Sequence, residues 1–564
     1  MWERLGQPVD VLVVGGGING AGIARDASRR GLSVALVEMN DLAYGTSSRS
    51  SKLVHGGLRY LEQREVGLVF ESVSERRILM DIAPHLVNPL GFLFPVYTGT
   101  KRKLWLINAG MWLYDGLALF RTPRNHRVLK PAELAAEEPA LRQDDLEGAP
   151  LYYDCSTDDT RLTLETALDA IKAGAVIATR VRAESFVRDR DGRLAGAVVR
   201  NTFTGEAKTV SSRVVINATG PWTDDTLGLP RGEGGSTEPH KPLLRTTKGV
   251  HIVVTRERLP LNHAVVCNHP TDARVLFAIP WGDRSYIGTT DTDVEGRPED
   301  VAASADDVDY LLAAANAHFP DNQLRREDVI ATWAGLRPLI RSDEEGKAGE
   351  SQVSREHHLF VGPDGLVTIA GGKLTTYRRM SAEVVETAVR ILQLSGRLDA
   401  PVDVAQTDRL PLPGAVGWPA DDDHAAVAEQ VLKASGNSIV RETAALLADT
   451  YGMRGIDVAT MCARDRTLAQ PLVSGRPEIL AQVDWAVREE LAATLCDVMI
   501  RRTQLFLRDI DQGLGAASRV AEHMATRLGW GRQQIDAQLE EYREEVERSR
   551  RWRRPQERPQ SYRD

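Results

Sequence analysis

The sequence predicts an α/β protein with a separate all-helical domain at its C-terminal end. Three observations lead to this prediction: the chain opens with a buried strand, a glycine-rich turn and a helix; strand candidates recur as late as residue 370; and almost no strand signal follows residue 424. A chain of 564 residues also exceeds the size at which single cores stop growing, roughly 250 to 300 residues. We therefore expect two or three domains.

The first predicted unit is a strand, a helix and a second strand. Residues 10–14 have the composition of a buried parallel strand, and residues 33–38 that of the next one. Residues 18–30 have helical spacing and end at Gly31, which can adopt the left-handed conformation that closes many helices.

The turn between the first strand and the helix carries a nucleotide-binding pattern. Gly15, Gly17 and Gly20 satisfy G-x-G-x-x-G, and Glu38 ends the second strand about 20 residues later. These glycines permit the tight turn, the approach of a pyrophosphate and close helix packing, while the acid can accept from a ribose hydroxyl. The register favours a Rossmann-like domain over a chance glycine turn, but it does not separate NAD from FAD.

Later strand candidates indicate that this domain is discontinuous. They lie at residues 175–179, 194–201, 214–219, 250–255, 275–279 and 366–370. We expect the nucleotide-binding domain to comprise about residues 1–85, 150–240 and 340–395. An antiparallel β domain, about residues 86–149 and 241–339, would be inserted in it.

The chain after residue 400 has a different composition. Residues 401–420 are rich in proline and glycine and predict a linker. Residues 421–545 are rich in Ala, Leu, Glu and Arg at helical spacing, and predict a helical domain. Residues 546–564 form a basic tail.

Composition excludes several classes of protein. A net charge of -9 argues against nucleic acid as the main partner. The four cysteines lie far apart without a CxxC pair, so we interpret them as buried, inert thiols in a reducing cytosol. The N-terminus lacks the apolar region of a secretory signal, and no stretch reaches the roughly 20 apolar residues of a spanning helix. We expect a protein inside the cell.

Residues 45–60 are the densest polar segment near the glycine turn. They gather hydroxyls, cations, one imidazole and paired glycines without an amphipathic period, which indicates chemistry beside a nucleotide rather than packing. Two later strand ends, near Thr219–Gly220 and Gly371–Gly372, carry glycine turns. The helix expected after the second would offer N–H groups to an anionic or electron-rich ligand, although both segments also suit ordinary strand–loop junctions.

Seven strings follow one another along the chain: the G-x-G-x-x-G turn with its acid, SSRSSKLVHGGLRYLE, NATGPW, KGVHIVV, IPWGDRSYIGTTDT, WAGLRPL and GGKLTTYR. In this order they closely resemble FAD-dependent glycerol-3-phosphate dehydrogenase. The resemblance covers about residues 9–385, and the LPLPG string extends it into the helical part. Amino-acid oxidases share several of the strings; HGGLRYLE and GGKLTTYR together are more specific. The resemblance implies an amino-acid-oxidase type fold, non-covalent FAD, a substrate domain above the flavin and electron delivery to membrane quinone.

The resemblance also implies a substrate, sn-glycerol 3-phosphate, oxidised to dihydroxyacetone phosphate. This reaction removes a hydride from carbon 2 and a proton from its hydroxyl, so a base is needed. His55 is our candidate, because an imidazole pKa near 6.5 leaves it partly neutral; a structural role, bonding the flavin or the backbone, is the alternative. Arg337 and Lys373 match the family's phosphate-binding positions. Lys248 would stabilise developing negative charge, or else lie at the rim.

The remaining expected site residues are second candidates for the substrate and contacts to the cofactor. The second substrate candidates are Arg59, Tyr60 and Arg355, the last with a looser match; for each cation the alternative is a solvated surface charge. The expected cofactor contacts are Gly15, Gly17, Ile18, Asn19, Gly20, Glu38, Thr46, Ser47, Ser51, Lys52, Leu53, Val181, Thr219, Gly220, Gly371, Gly372, Leu374 and Thr375. Because His357–His358 lack ligand spacing, we expect no metal.

The electron acceptor remains open between alternatives. A quinone-linked dehydrogenase, peripheral on the inner face of the cell membrane, is the main interpretation. A soluble glycerol-3-phosphate oxidase, which passes electrons to oxygen and makes peroxide, would share the same site. A flavin-bearing interaction protein is the third alternative. The oligomeric state is also open, with a homodimer as one alternative.

Two segments predict where a membrane would be contacted. Lys101, Arg102 and Lys103 precede an apolar segment, residues 104–120, that carries a narrow polar stripe at seven-residue spacing. Such a helix is either buried in protein, the more frequent case, or lies in a bilayer surface. The arginines and the tryptophan of residues 548–554 could bind anionic lipid, or be disordered.

Overall fold

The computed structural model describes residues 1–57, 65–100, 103–117, 124–231, 242–294, 296–341, 357–398 and 400–554. Within these residues the strands are β1 Val9–Val14, β2 Val34–Glu38, β3 Leu53–Val54, β4 Val87–Leu93, β5 Val96–Tyr97, β6 Arg127–Leu129, β7 Leu146–Thr157, β8 Val176–Thr179, β9 Val181–Arg188, β10 Leu194–Asn201, β11 Ala207–Asn217, β12 Leu244–Thr255, β13 Ala264–Asn268, β14 Val275–Trp281, β15 Arg284–Gly288, β16 Thr292–Asp293, β17 Ala331–Ile340, β18 His357–Val361 and β19 Val367–Gly371. The helices are α1 Ile18–Arg29, α2 Val66–Ile82, α3 Leu104–Leu117, α4 Pro131–Glu137, α5 Asp159–Lys172, α6 Thr223–Leu227, α7 Ala305–His318, α8 Tyr377–Leu394, α9 His424–Ala434, α10 Arg441–Tyr451, α11 Gly455–Arg464, α12 Leu480–Glu489, α13 Leu505–Arg508, α14 Leu514–Leu528 and α15 Arg532–Ser549.

The first sheet forms the nucleotide-binding part. Strands β19, β11, β1, β2 and β8 lie side by side and run parallel, and β18 closes one edge in the antiparallel direction. Side chains alternate between the two faces of β1: Val11 and Val13 pack with α1, α5 and α8, whereas Leu12 and Val14 pack with β9 and β10. The predicted α/β part, with its late return to the same sheet, is confirmed.

The second sheet is the inserted β part. Its neighbours run β16, β12, β15, β14, β13, β4, β7 and β3, with β17 paired to β12. The pairings are antiparallel except for β4 with β13, which is parallel. β3 belongs to this sheet through β7, although the sequence places residues 53–54 in the nucleotide-binding segment. The polar segment before β3 is therefore held between the two sheets.

The C-terminal helical domain packs against both sheets. Its apolar residues share one buried cluster with second-sheet residues such as Phe92 and Trp333. Buried ion pairs join it to the nucleotide-binding part: Asp41 accepts from Arg502 at 2.6 Å, and Arg161 donates to Glu490 at 2.8 Å. These charged side chains can be buried because each is paired with a side chain of opposite charge.

The predicted linker and tail are both packed against the protein. Residues 401–412 contain no helix or strand, as expected, but Arg25 donates to the carbonyls of Thr407 and Leu410 at 3.2 and 2.6 Å. The tail prediction is wrong for residues 546–554: α15 continues to Ser549, and the Trp552 side chain is 3% exposed within the second-sheet core. The prediction considered only the basic charge of this segment, whereas the large apolar indole ring of Trp552 favours burial. Residues 555–564 lie outside the described part.

Helix α3 has an inverted distribution of polarity. Trp105 is 70% and Trp112 57% exposed, while the side chain of Asp115 is buried. The Asp115 carboxylate lies 2.7 Å from Nδ1 of the His126 ring, and the Asn108 side-chain oxygen lies 3.0 Å from Nε2 of the same ring. The polar stripe thus faces the protein and the apolar face is outside, so the fully buried alternative is wrong. Among the described helices, none is long and apolar enough to cross a bilayer.

Candidate functional site

A cavity of about 660 Å³ lies at the carboxyl ends of the parallel strands. One end is lined by the glycine turn and Glu38, and the other by the turn that follows β19. Carboxyl ends of strands in a doubly wound sheet are where dinucleotides bind, and this volume falls within the range of cofactor pockets. We call it the cofactor cavity.

The glycine turn has the geometry that its sequence predicts. Gly15 has φ +109°, and a Cβ there would lie 2.7 Å from the Ala218 carbonyl oxygen. A Cβ on Gly20 would lie 1.8 Å from the Gly15 carbonyl oxygen, so this glycine serves helix packing and does not line the cavity. Helix α1 begins at Ile18 without a side-chain cap or an acid in its first turn. Its positive end suits an anion.

Glu38 and Ser47 complete this end of the cofactor cavity. The Glu38 carboxylate accepts from the backbone N–H groups of Gly16 at 2.6 Å and Asn40 at 2.8 Å. Burial raises the pKa of Glu38, and these two hydrogen bonds oppose that rise. Each carboxylate oxygen keeps a further lone pair, which leaves the expected ribose contact compatible with the structure. The Ser47 hydroxyl accepts from the Ile18 N–H at 2.9 Å.

A second cavity of about 190 Å³ adjoins the first. The two share Thr46, Gly371, Gly372, Lys373 and Leu374 among their lining residues. His55 and Arg337, which are 282 positions apart in the sequence, both line the smaller cavity. We call it the substrate cavity, because it brings two imidazoles and three cationic side chains together beside the cofactor cavity.

Arg337 is oriented by the turn after β15. Its guanidinium donates to the Thr289 hydroxyl at 3.1 Å and to the Thr290 carbonyl at 3.3 Å, and pairs with Asp291 at 3.0 Å. A Cβ on Gly249 would lie 2.5 Å from the same guanidinium, so only glycine permits this approach across β12. The residues Thr289, Thr290 and Asp291 of the string IGTTDT therefore orient the Arg337 guanidinium, a group that is suited to bind phosphate.

His55 is held through its backbone on both sides. Its N–H donates to the Thr375 hydroxyl at 3.1 Å, and that hydroxyl lies 3.3 Å from the His55 carbonyl oxygen. The next N–H, of Gly56, donates to the Tyr114 hydroxyl at 3.0 Å and to Asp154 at 3.2 Å. Tyr114 also donates to Asp154 at 2.7 Å, and Arg76 pairs with the same carboxylate. This buried network fixes the turn that carries the imidazole.

The substrate cavity contains residues that the sequence did not single out. They are Arg49, Gly249, His251 and Thr289. The His251 ring stacks on Trp333 with centroids 4.6 Å apart, and Nε2 lies 2.9 Å from the Ser51 hydroxyl. Burial, and then the nearby Arg337 charge, lower the pKa of His251 well below its usual value. Side chains alternate between the two faces of a strand, so Gly249 and His251 of β12 lie on the same face. This alternation is the sequence signal that could have identified His251.

The same alternation corrects the prediction for Lys248. It lies on the opposite face of β12, does not line either cavity, and pairs with Asp307 at 2.6 Å. Lys52 is likewise absent from the cofactor cavity: its ammonium pairs with Asp159 at 2.6 Å and lies 5.5 Å from the centre of the Trp333 ring. Lys52 has a φ of +53°, and its side chain is 3% exposed in this ion pair.

Most of the other expected contacts do line a cavity. In the cofactor cavity these are Gly15, Gly17, Ile18, Asn19, Glu38, Thr46, Ser47, Val181, Thr219, Gly220, Gly371, Gly372 and Leu374. Ser51, Leu53 and Thr375 line the substrate cavity instead. Arg59, Tyr60 and Arg355 lie outside the described residues.

Comparison with known proteins decides between the flavin families. Residues 10–378 match the model of the FAD dependent oxidoreductase family, and residues 405–535 match the C-terminal domain of alpha-glycerophosphate oxidase. The glycerol-3-phosphate dehydrogenase of Synechocystis is 37% identical over 548 residues, covering 96% of both chains. The chain belongs to the FAD-dependent glycerol-3-phosphate dehydrogenase family.

Other members of this family agree with the assignment. The aerobic glycerol-3-phosphate dehydrogenase of Staphylococcus aureus is 36% identical and covers 96% of this chain and 94% of its own. The Bacillus halodurans glycerol-3-phosphate dehydrogenase, solved in complex with FAD, superposes with a TM-score of 0.79 at 32% identity, covering 97% and 96% of the two chains. An L-alpha-glycerophosphate oxidase from Mycoplasma pneumoniae, at 19% identity and TM-score 0.54, shares the fold.

The cofactor cavity fits FAD by its own chemistry. Its closed glycine turn and the uncapped N-terminus of α1 suit a pyrophosphate, and Glu38 suits a ribose. At the other end Gly371 and Gly372, with φ +73° and +85°, bring backbone close to the space that a flat ring would fill. The residues that line this cavity are therefore chemically suited to the parts of FAD.

Proposed function

We propose that this enzyme oxidises sn-glycerol 3-phosphate to dihydroxyacetone phosphate. The observation that carries the proposal is the convergence of His55, Arg337 and Lys373 on a small cavity continuous with the cofactor cavity. An imidazole supplies a proton acceptor and the two cations suit a phosphate dianion. FAD, when bound, accepts the hydride from carbon 2 of the substrate.

Arg337 binds the phosphate in this proposal, with Lys373 beside it. The guanidinium is already oriented by Thr289 and Asp291, so little side-chain entropy is lost when a ligand binds. Lys373 lies at the start of the turn Leu374–Thr376 and borders both cavities. It can therefore contact a substrate oxygen close to the flavin ring. Arg59, Tyr60 and Arg355 remain proposed substrate contacts from the sequence.

His55 takes the proton from the carbon 2 hydroxyl. Its backbone is held by Thr375 and by the network around the Gly56 N–H, and the residue lines the substrate cavity. A held base contributes typically 10²–10⁴-fold to such reactions. His251, which burial keeps neutral, offers a second polar group beside the substrate without adding positive charge.

We infer that membrane quinone is the electron acceptor. The decisive experiment is anaerobic: glycerol 3-phosphate is added to the purified holoenzyme, bleaching of the flavin is followed, and reoxidation by a soluble quinone is compared with reoxidation by oxygen. Fast reoxidation by quinone and slow reoxidation by oxygen supports the dehydrogenase. Fast reaction with oxygen supports an oxidase, and absence of bleaching supports a flavin-bearing interaction protein.

The exposed face of α3 is the proposed lipid contact. Trp105, Leu106, Trp112 and Leu113 are each more than half exposed, and Phe70 on the adjacent α2 is 47% exposed. Aromatic rings beside the exposed Lys103 suit the interface of an anionic bilayer. We therefore propose that the protein is a peripheral enzyme on the inner face of the cell membrane. The Trp552 side chain takes no part in this contact, because it is buried in the second-sheet core, whereas Arg551, Arg553 and Arg554 are exposed.

Vesicle flotation tests the lipid contact. The full chain should float with vesicles that contain anionic lipid, and Trp105→Ser combined with Trp112→Ser should weaken flotation about tenfold, since each indole buries substantial apolar area. The matched control is Leu394→Ser, which removes an 81% exposed apolar side chain from α8. Equal flotation of wild type and the α3 variant contradicts the proposal.

A further inference from the structure

Trp222 and Glu299 meet across the cofactor cavity from different domains. Trp222 follows β11 in the nucleotide-binding part, and Glu299 lies in the short turn Pro298–Asp300 of the inserted β part. The indole N–H donates to the Glu299 carboxylate at 2.8 Å, and both residues line the cofactor cavity. A charge-assisted hydrogen bond therefore joins the two domains over the cofactor space.

The indole of Trp222 is also held from the inner side. Its ring centre lies 6.3 Å from that of Tyr44, and a Cβ on Gly45 would lie 2.9 Å from the indole. The glycine thus permits the ring to pack closely against the turn of residues 44–45. This contact leaves the indole little freedom to swing away while its N–H is bonded.

The C-terminal segment holds Glu299 from the outer side. Arg548, in the last turn of α15, donates to the Glu299 carbonyl oxygen at 3.1 Å. The end of α15 is fixed in turn, because Thr332 donates to the Ser549 carbonyl at 3.0 Å and Trp552 is buried in the second-sheet core. All three regions of the protein therefore contribute to one contact.

We propose that Trp222, Glu299 and Arg548 form a latch that retains FAD. The proposal rests on FAD occupying the cofactor cavity. When the indole is bonded to Glu299, a bound dinucleotide cannot leave past this side without breaking a charge-assisted hydrogen bond that spans two domains. The latch acts on the rate of FAD release and touches neither His55 nor Arg337.

FAD release from the purified holoenzyme tests the latch. After dilution, the fluorescence of released FAD gives the dissociation rate. Glu299→Ala and Trp222→Phe should each raise that rate about tenfold, the effect of losing one hydrogen bond to a charged group. Their combination should be no faster than either alone, because the two variants break the same bond. Glu299→Gln, whose amide oxygen still accepts from the indole, should release FAD at nearly the wild-type rate.

The control is Asp309→Ala, which breaks a surface ion pair with Arg326 in the same β part and should leave release unchanged. Wild-type release rates in both Glu299→Ala and Trp222→Phe overturn the latch. So does faster release that is accompanied by loss of far-UV circular dichroism, since unfolding then explains it. Wild-type protein that retains no FAD would instead refute the proposed cofactor site itself.

Discussion

The two ends of the joined cavities are built in different ways. The glycine-turn end is built from neighbouring parts of the chain: residues 15–20 supply backbone, α1 supplies its positive end, and Glu38 and Ser47 add two side chains. The substrate end combines side chains from β12, β17 and the turns after β3 and β19, with His55 and Arg337 held by separate networks. The first end depends on glycines, whose positions leave no room for a side chain. The second end depends on the particular residues that hold each functional side chain.

This difference teaches which kind of change each end tolerates. At the glycine turn a single added carbon meets backbone, so substitution should abolish cofactor binding and disturb the fold together. At the substrate end the functional groups are side chains held by a few hydrogen bonds each, so substitution should impair turnover while FAD stays bound. The predictions below separate these two behaviours.

Gly20→Ala should have the largest effect. Its Cβ would lie 1.8 Å from the Gly15 carbonyl oxygen, so the turn must move or α1 must detach. We expect loss of bound FAD and a destabilisation of roughly 3 kcal/mol or more, as for severe overpacking. FAD absorbance of the purified protein and urea unfolding measure both. The control Gly67→Ala adds a Cβ with nothing within 4 Å and should retain FAD. Retention of FAD by Gly20→Ala would break the comparison.

Arg337→Lys should impair the substrate end alone. Lysine cannot reproduce the planar guanidinium that contacts Thr289 and Asp291 and that we propose to bind the substrate phosphate. We expect kcat/KM for glycerol 3-phosphate to fall about 100-fold, mainly through KM, with FAD content unchanged. Steady-state kinetics and FAD absorbance report both quantities. Arg326→Lys, in a surface ion pair, is the matched control. An equal loss in both variants would argue against phosphate binding by Arg337.

His251, at the substrate end, should make the stability of the protein depend on pH. Because burial lowers its pKa in the folded state, the unfolded state binds a proton first as the pH falls below about 6.5. The free energy of unfolding should therefore be unaffected by this group above that pH and should decrease below it, by up to about 1.4 kcal/mol per pH unit. Urea unfolding between pH 7.5 and 5.5 measures the slope. His251→Gln should give a shallower slope than wild type, and the exposed control His358→Gln an unchanged one.

Tyr114→Phe should give the smallest effect. It removes the hydroxyl that accepts from Gly56 and donates to Asp154, while the ring stays in place. Because Asp154 still accepts from Gly56, we expect kcat to fall only about fivefold, the value of one neutral hydrogen bond, with FAD content intact. The control Tyr310→Phe removes a hydroxyl that donates to Asp272 at the surface. If Tyr114→Phe leaves kcat unchanged, the Tyr114 hydroxyl does not help to position His55.

The sequence predicted the glycine-turn end more completely than the substrate end. Strand, glycine turn, helix and acid follow one another, so local pattern was sufficient for Gly15, Gly17 and Glu38. His55, Arg337 and Lys373 were recognised through the family resemblance, since nothing in their spacing reveals that a fold brings them together. His251 shares a face of β12 with Gly249 and lines the substrate cavity, whereas Lys248, which the sequence predicts to stabilise negative charge, lies on the opposite face and pairs with Asp307.

Burial explains the remaining differences. Lys52 and the basic segment ending at residue 554 were interpreted by their charge, yet the structure pairs Lys52 with Asp159 and buries Trp552 in the second-sheet core. Partners supplied from distant segments decide whether a cation is exposed or paired, and sequence distance conceals them. The same limitation applied to α3, whose polar stripe faces His126 rather than solvent.

The rate of flavin reduction in His55→Ala tests the central claim most directly. Wild type and variant, both loaded with FAD, are mixed anaerobically with saturating glycerol 3-phosphate in a stopped-flow instrument. A rate at least 100-fold below wild type, with FAD content and unfolding free energy preserved, is expected if the imidazole at the substrate end accepts the hydroxyl proton. Reduction at the wild-type rate would contradict that assignment and return His55 to a structural role.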